Sequence, residues 1–429
     1  MPSHALLTSY VQSGLVSRSF LLTGKILRDS LNPSDTPIAI RNLNPDLPLN
    51  VSTCALTSDG GTAHIAWGLL TGEVAVTTAS KVMDSGGRVG AKLVRCRVED
   101  QHDGPVVDAV WGKQDGRKHL PTVVTGGADG KVKLWHAKRL TCLWTSDTVS
   151  GVLVSDPCVK VAFEKDIVVG AMQSGDIILW SGFASLLSNE ESIPAVDEIP
   201  VSCPLHGDST HAPTTLHIDY TSTVVAVLVS YEDHPHFYRM QFDMTTREVE
   251  VSPFGDATFG SITAILPCFS RSSKEPSLVI AGDQMGCVSM YNWRSPSGEH
   301  PLRKFEANSD NSSVSALAWN GVVLVVGSSL GTINVWHALT FERLREFAVP
   351  RRNTGEDGEG GIKQILLGPE SEMFVAAAGD QIMTWQVGEI QCRRAGAKRN
   401  AAVKRGKKGQ AAAAKYHRES GVACVFVFR

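Results

Sequence analysis

The stretch VVTGGADGKVKLW, Val123–Trp135, decides the fold of this 429-residue chain. Two runs rich in apolar and β-branched residues flank an Asp-Gly pair, which predicts two antiparallel strands joined by a tight turn. Glycine favours such a turn because it adopts positive φ angles at little cost. A single copy predicts only a hairpin. The pattern recurs along the chain, however, and this recurrence determines the architecture.

Related hairpins occur at five further places, with decreasing similarity. They are GAMQSGDIILW at Gly170–Trp180, GDQMGCVSMY at Gly282–Tyr291, GSSLGTINVW at Gly327–Trp336, AAGDQIMTW at Ala377–Trp385 and the looser GLLTGEVAVT at Gly68–Thr77. Trp135 and Trp180 stand 45 positions apart, and so do Tyr291 and Trp336. The 111 positions from Trp180 to Tyr291 leave room for two units. We place the missing hairpin at Thr221–Asp243, where a polar turn lacks glycine, and the chain then holds seven units.

The period predicts four short strands in each unit, because turn residues return about every 8–12 residues within units of roughly 40–45 residues. This pattern resembles that of WD40 repeats. The best unit also resembles one residue by residue, with His102 before the first strand, Thr125 in the second, Asp129 in the turn and Trp135 in the third. In WD40 proteins these positions commonly form a hydrogen-bonded set. The resemblance therefore implies a brace within the blade and not a catalytic His/Thr/Asp group.

We predict an all-β fold, a seven-bladed WD40-type β-propeller with a short N-terminal extension and a basic C-terminal tail. We expect the strand Ile38–Arg41 to pair beside Met383–Trp385 and so to leave no open sheet edge in the ring. The predicted divisions are an N-terminal extension at 1–35, the propeller at 36–393, the basic low-complexity tail at 394–420 and a C-terminal strand at 421–429.

The composition is that of an ordinary globular protein, with 20% charged and 42% hydrophobic residues. No apolar run approaches 18 residues, so the sequence predicts no membrane span. The N-terminus lacks the pattern of a secretory signal. Nine dispersed cysteines without a CxxC pair argue against a disulfide framework and indicate a reducing compartment.

The net charge of −3 hides a basic segment near the C-terminus. Residues 393–418 contain ten Lys or Arg and no acid, which leaves 31 basic against 44 acidic residues elsewhere. A nuclear import signal or contact with RNA or an acidic surface would explain it, and the alternative is a solvated tail. With Tyr416 as its only aromatic residue, the segment offers little for specific stacking on RNA. The candidate contact residues are Lys398, Arg399, Lys404, Arg405, Lys407 and Lys408.

Three further segments carry expectations about structure. Ala184–Pro213 and Pro350–Gly361 are rich in Ser, Pro, Gly and charged residues, and we expect exposed loops there. Val422–Phe428 is apolar on both faces of a predicted strand, so it needs cover on both sides. We expect it to add to a blade edge or to cover an apolar patch, and the alternative is a partner interface.

The sequence contains no motif for catalysis or for a cofactor. It has no GxxxxGK[ST] phosphate loop, no GxSxG elbow and no HExxH. Five histidines crowd one region, but their spacing matches no zinc pattern, and we expect them to be solvent-facing loop residues. They are His206, His211, His217, His234 and His236. We therefore expect no enzyme activity, no metal and no cofactor.

The sequence thus favours a non-catalytic scaffold that holds protein partners on the propeller faces. We expect a monomer in the cytoplasm, the nucleus or both, without membrane contact. The divergent repeats resemble those of fungal F-box/WD-type adaptors, which implies substrate recruitment in a ubiquitin-ligase complex, although residues 1–35 lack the Leu-Pro start of an F-box. The alternative is a nuclear assembly factor for RNA–protein particles that uses the basic tail for weak contact with nucleic acid.

Overall fold

The computed structural model of the chain consists of strands arranged in seven four-stranded antiparallel sheets over the residues it describes. Those residues are 39–42, 51–59, 62–78, 94–112, 121–146, 156–187, 196–205, 211–220, 225–256, 260–270, 276–296, 300–348, 361–367, 373–378 and 381–386. Six sheets each use four strands that follow one another along the chain and neighbour one another in the sheet. This is the arrangement that the repeated hairpins predict.

The strands are numbered along the chain, beginning with β1 (Ala39–Asn42). The first sheet contains β2 (Val51–Asp59), β3 (Thr62–Leu69), β4 (Val74–Thr78) and β5 (Val94–Arg95). The second contains β6 (Val106–Trp111), β7 (Thr122–Gly127), β8 (Val132–His136) and β9 (Thr141–Thr145). The third contains β10 (Cys158–Glu164), β11 (Ile167–Met172), β12 (Ile177–Ser181) and β13 (Asp197–Val201).

The fourth sheet contains β14 (Pro213–Tyr220), β15 (Val225–Tyr231), β16 (His236–Phe242) and β17 (Val249–Gly255). The fifth contains β18 (Ile262–Cys268), β19 (Leu278–Asp283), β20 (Cys287–Asn292) and β21 (Arg303–Glu306). The sixth contains β22 (Val314–Trp319), β23 (Val323–Ser328), β24 (Thr332–His337) and β25 (Arg343–Ala348). The last contains β26 (Ile362–Leu367), β27 (Met373–Ala378) and β28 (Gln381–Gln386), together with β1. Two short helices complete the described elements, a 3-10 helix at Val98–Asp100 and α1 at Ala184–Leu187.

The last sheet joins the two ends of the repeat region. Its strand order is β1-β28-β27-β26, so a strand from the start of the chain completes a sheet built at its end. Ile40 pairs with Met383 and Ala39 with Thr384 in antiparallel register. The predicted pairing of Ile38–Arg41 beside Met383–Trp385 is therefore confirmed, with the observed strand beginning one residue later.

The hydrophobic core lies between neighbouring sheets. Val124 and Leu134 of the second sheet share one buried cluster with Val168 and Trp180 of the third. A strand covered on both faces needs apolar residues at every position, and this explains the continuous Val/Ile/Leu runs in the repeats. The second strands of sheets two to six are buried along their whole length, namely β7, β11, β15, β19 and β23.

One expectation about a segment, the missing hairpin, is confirmed, and another, an exposed loop, is wrong. The missing hairpin predicted at Thr221–Asp243 is confirmed, since β15 and β16 pair there in antiparallel register. The expectation of an exposed loop over all of Ala184–Pro213 is wrong, because the segment holds α1 and β13. The fourth strand of a sheet is an edge strand, and β13 buries only Ile199, so its sequence carries little strand signal. Residues 350–360 of Pro350–Gly361 lie outside the described residues.

The loops leave the sheets on two opposite sides. We call the front face the side formed by the turn between the second and third strands of each sheet and by the connections from one sheet to the next. The rear face carries the other two turns of each sheet. Backbone hydrogen bonds tie front-face turns to neighbouring connections, and we call the described segments joined in this way the front-face rim. They run from N–H to O in the pairs His102 to Gly72, Ala128 to Pro105, Glu232 to Ala212, Gln284 to Ser261 and Ser329 to Ser313.

Candidate functional site

The structure brings His102, Thr125, Asp129 and Trp135 into one hydrogen-bonded group, which we call the His102 cluster. His102 Nδ1 lies 3.0 Å from Asp129 Oδ1, and His102 Nε2 lies 2.8 Å from Thr125 Oγ1. The indole N–H of Trp135 donates to Thr125 Oγ1 at 2.8 Å. With the imidazole proton on Nδ1, Asp129 accepts it, the Thr125 hydroxyl donates to Nε2, and every polar atom in the chain of bonds has a partner.

The His102 cluster is enclosed and offers no reactive group to a substrate. Thr125 and Trp135 have 0% exposure, and His102 has 3%. A catalytic hydroxyl must reach the atom it attacks, whereas the Thr125 hydroxyl is already engaged on both sides. The four residues come from the connection before β6, from β7, from the following turn and from β8, so the cluster ties that connection to the β7–β8 hairpin.

Asp129 remains ionised at low pH despite its burial. Burial raises its pKa, but the hydrogen bond from His102, together with those from the N–H groups of Asp103 and Lys131, brings the pKa down to about 2. The Asp103 N–H donates to Oδ2 at 3.0 Å and the Lys131 N–H to Oδ1 at 3.1 Å. The carboxylate therefore fixes the front-face turn and the connection before β6 in one arrangement.

The low pKa of Asp129 predicts a pH-dependent contribution to stability. The folded pKa of about 2 lies below the ordinary 3.8, so the contribution is full above about pH 4 and is lost as the pH falls through about 2. At about 1.4 kcal/mol per pKa unit, the contribution is about 2 kcal/mol. We expect the difference in unfolding free energy between the wild-type chain and Asp129→Asn, measured by urea titration, to shrink from pH 5 to pH 2. A constant difference would contradict this role of the carboxylate.

Two lysines beside the His102 cluster make contacts that were not predicted from the sequence. Lys133 is 6% exposed, and its ammonium group donates to the carbonyl oxygens of Asp100 and Gln101 at 2.9 and 2.8 Å. This attaches β8 to the end of the 3-10 helix. Lys131 Nζ lies 2.8 Å from Asp103 Oδ2 across the front face. A lysine in a strand normally signals an exposed position, so the burial of Lys133 could not be predicted from the sequence.

A second polar cluster lies between the fourth and fifth sheets, and it too was not predicted from the sequence. Arg239 is buried on β16 and donates to the carbonyl oxygens of Trp293 at 2.6 Å and Ser295 at 3.0 Å. The Trp293 indole N–H donates to Asp219 Oδ2 at 3.0 Å. Asp219 and Trp293 lie 74 positions apart in the sequence. Unlike the four members of the His102 cluster, they therefore share no local pattern.

The histidines of the fourth sheet lie closer together than expected. The ring centroids of His211 and His234 are 6.1 Å apart, and those of His234 and His236 are 5.4 Å apart. The expectation of loop residues is wrong for His217 on β14 and His236 on β16, whereas His211 and His234 lie in loops, and all four are half-buried. Burial lowers the pKa of His234 and of His236, and repulsion from a neighbouring imidazole lowers each further. His206 lies outside the described residues.

Several large apolar side chains are exposed on the front face. Met285 and Leu330 each precede the turn glycine, at the position that Asp129 takes in the second sheet, and each is 51% exposed. Leu70, in the corresponding turn of the first sheet, is 50% exposed, and Val98 in the 3-10 helix is 81% exposed. Exposed leucine, valine and methionine at loop tips are available for contact with another protein.

The remaining candidate residues lie outside the described part of the chain. This holds for the basic residues Lys398, Arg399, Lys404, Arg405, Lys407 and Lys408 and for the predicted strand Val422–Phe428. Among the residues that are described, no group of three or more His, Cys, Asp or Glu side chains is arranged to hold a metal ion. Over the same ranges, no helix is long and apolar enough to cross a membrane.

Comparisons with known proteins give one relative by sequence and many similar structures. No protein-family model matches the chain. It is 23% identical over 347 residues to cytoplasmic dynein 2 intermediate chain 2 of the mouse, a match that covers 75% of this chain. The match spans 60% of the length of that relative. A chain in a crystal structure of the mitotic checkpoint complex superposes with a TM-score of 0.52 at 14% identity, over 83% of this chain and 93% of that one.

These likenesses agree with the repeated four-stranded sheets and with the closing pairing of β1 and β28. At such low sequence identity these likenesses show the fold alone. The chain has a β-propeller fold built from repeats that resemble WD40 repeats.

Proposed function

We propose that this chain is a non-catalytic scaffold that holds protein partners together, and that its seven sheets close into a seven-bladed ring. The observation that carries the proposal is the set of exposed apolar side chains on the front face, Leu70, Val98, Met285 and Leu330. The turns that carry Leu70, Met285 and Leu330 are each tied to a neighbouring connection by backbone hydrogen bonds, so partner contacts would form on a rigid frame. WD40 propellers are typically scaffolds of this kind.

The His102 cluster has a structural role in this proposal. Its hydroxyl, imidazole and carboxylate satisfy one another, and its Trp is buried completely. It braces the second sheet and so holds the neighbouring front-face turns in place. The enclosed geometry supports this role over catalysis.

The comparisons support membership of a larger assembly. The mouse relative is named as an intermediate chain of a dynein complex, and the similar structure comes from a checkpoint complex. We propose that this chain is likewise a subunit of a multi-protein assembly, and that it works in the cytoplasm as the name of the relative indicates. Each copy of the chain would then contact partner proteins and would not form a dimer with another copy.

Two more specific forms of the scaffold remain as proposals from the sequence. One is substrate recruitment in a ubiquitin-ligase complex, suggested by the resemblance to F-box/WD-type adaptors. The other is nuclear assembly of RNA–protein particles, suggested by the ten basic residues at 393–418. Partners that co-purify with the full chain distinguish them, since cullin-linked adaptors indicate the first and ribosomal or splicing proteins the second.

The front-face proposal predicts which substitutions remove partners. We expect Met285→Glu combined with Leu330→Glu to reduce the recovery of specific partners at least about tenfold, because buried carboxylates in an apolar interface are costly. Recovery is measured by quantitative mass spectrometry after affinity purification of the full chain. Met244→Glu is the matched control, because Met244 is 39% exposed on a rear-face turn. Equal recovery of partners with the wild-type chain, the double variant and Met244→Glu would contradict partner binding through these side chains.

A further inference from the structure

Among the described residues, the turns and connections on the front face of the third to fifth sheets carry acidic side chains without basic ones. Six carboxylates in these turns and connections are exposed or half-buried, and we call them the front-face acids. They are Asp156, Asp176, Glu232, Asp233, Asp256 and Asp310. The described turns and connections that carry them, from residue 156 to residue 313, contain no Lys or Arg. The intervening residues 147–155, 206–210 and 257–259 add none in sequence.

The neighbouring parts of the surface differ. On the front face of the first two sheets, acids are paired with local cations, as in Lys131–Asp103 at 2.8 Å and Arg95–Glu73 at 3.6 Å. On the rear face of the third to fifth sheets, acids and bases balance over the described turns. The three bases are Lys165, Arg247 and Arg294, and the three acids are Asp166, Asp243 and Glu248. The front-face acids therefore form a one-sign patch at one place on the molecule.

Local hydrogen bonds order several of these carboxylates without neutralising them. Asp176 accepts the N–H of Cys203 at 2.9 Å, and Asp156 accepts the N–H of Ser174 at 3.0 Å. A backbone N–H favours the charged form of a carboxylate and adds no compensating positive charge. Lys304, half-buried on β21, interacts with Asp256 and reduces the charge only at that end.

We propose that the basic segment Arg393–Arg418 of the same chain docks on the front-face acids. Its ten Lys or Arg and absence of acids complement six carboxylates that have no lysine or arginine among their own described turns and connections. Each exposed ion pair contributes little, about 0–1 kcal/mol, but many pairs add within one segment. Attachment to the same chain supplies the segment at an effective concentration in about the millimolar range. The docked segment would lie beside Met285 and compete with a partner for that region.

The length of the intervening chain permits this docking. β28 ends at Gln386 on the rear face, because the third strand of each sheet runs from front to rear. Lys404 follows 18 positions later, and a chain of that length spans up to about 60 Å when extended. A six-residue strand spans only about 20 Å, so the segment is long enough to pass around the edge of the propeller.

Carbodiimide cross-linking of the full chain tests the proposal, because this reagent joins an amine only to a carboxylate that touches it. We expect products between Lys398, Lys404, Lys407, Lys408 or Lys415 and the front-face acids at low salt, identified by mass spectrometry. We expect a loss of at least about fivefold at 1 M salt, where charges are screened over about 3 Å. The Lys131–Asp103 pair provides an internal control for reaction and folding, since its atoms are already 2.8 Å apart.

Variants and isotope labels identify the docking site and its occupant. Glu232→Gln with Asp233→Asn should reduce these products at least about twofold, whereas Glu248→Gln with Glu342→Gln on the rear face should leave them unchanged. Asparagine tolerates the positive φ of 53° at Asp233, so this variant should keep the fold. An equal mixture of light and heavy chains should give products within one copy. The proposal would be overturned by products that form only between copies or mainly with rear-face acids. It would also be overturned if the basic segment gave no products while the Lys131–Asp103 product formed normally.

Discussion

Replacing Trp135 by alanine is expected to lower the free energy of unfolding by about 3–5 kcal/mol. The indole ring is completely buried and packs in a cluster with Val106, Val123 and Leu140. Its removal leaves a cavity in that cluster and takes the N–H donor from Thr125 Oγ1. Equilibrium unfolding in urea, monitored by far-UV circular dichroism, measures the loss.

A second substitution separates packing from hydrogen bonding. Trp135→Phe keeps an aromatic ring and removes the indole N–H, so we expect it to cost less than Trp135→Ala by about 2 kcal/mol. Val98→Ala is the exposed control, because Val98 is 81% exposed and its truncation should change stability by less than about 0.5 kcal/mol. If Trp135→Ala melted within a degree of the wild-type chain, the His102 cluster would not brace the sheet.

The repeated hairpins made the strand pattern predictable, because short apolar runs and turn glycines are local signals. The pairing of β1 with β28 was predictable for a different reason, since an open edge in a ring is unfavourable and a strand at one end is available to cover it. The edge strand β13 could not be predicted in this way. It needs only one buried side chain, Ile199, and its Asp, Glu and Pro residues resemble a loop.

The candidate site shows the same division between local and distant signals. The four residues of the His102 cluster lie within one repeat, so a resemblance to WD40 repeats was enough to bring them together in the sequence. The contacts of Arg239 with Trp293, and of Trp293 with Asp219, cross from one sheet to the next. Their partners depend on how two units pack, which no single repeat encodes. The acidic character of one face likewise emerges only when turns far apart in sequence are placed on the same side.

The front-face rim also predicts a large effect from a small substitution, Gly72→Ala. Gly72 has φ +86°, and a Cβ there would collide with the backbone carbonyl oxygen of His102 and lie 3.0 Å from that of Gly104. An L-residue at positive φ costs about 1–2 kcal/mol by itself. The collision must in addition displace the backbone that carries His102, so we expect a total loss of about 3 kcal/mol or more. Urea unfolding of the full chain measures it.

Gly321→Ala supplies the matched control for Gly72→Ala. Gly321 has the same φ of +86°, but the nearest atom to an added Cβ is Trp319 Nε1 at 3.9 Å, an ordinary contact distance. This variant should therefore lose only the conformational cost of about 1–2 kcal/mol. The excess loss in Gly72→Ala then measures how tightly the turn after β3 is held against the connection that carries His102. Equal losses in the two variants would mean that the front-face rim yields to the added methyl group. The turns of neighbouring sheets would then be free to move independently, which a scaffold with fixed partner positions does not allow.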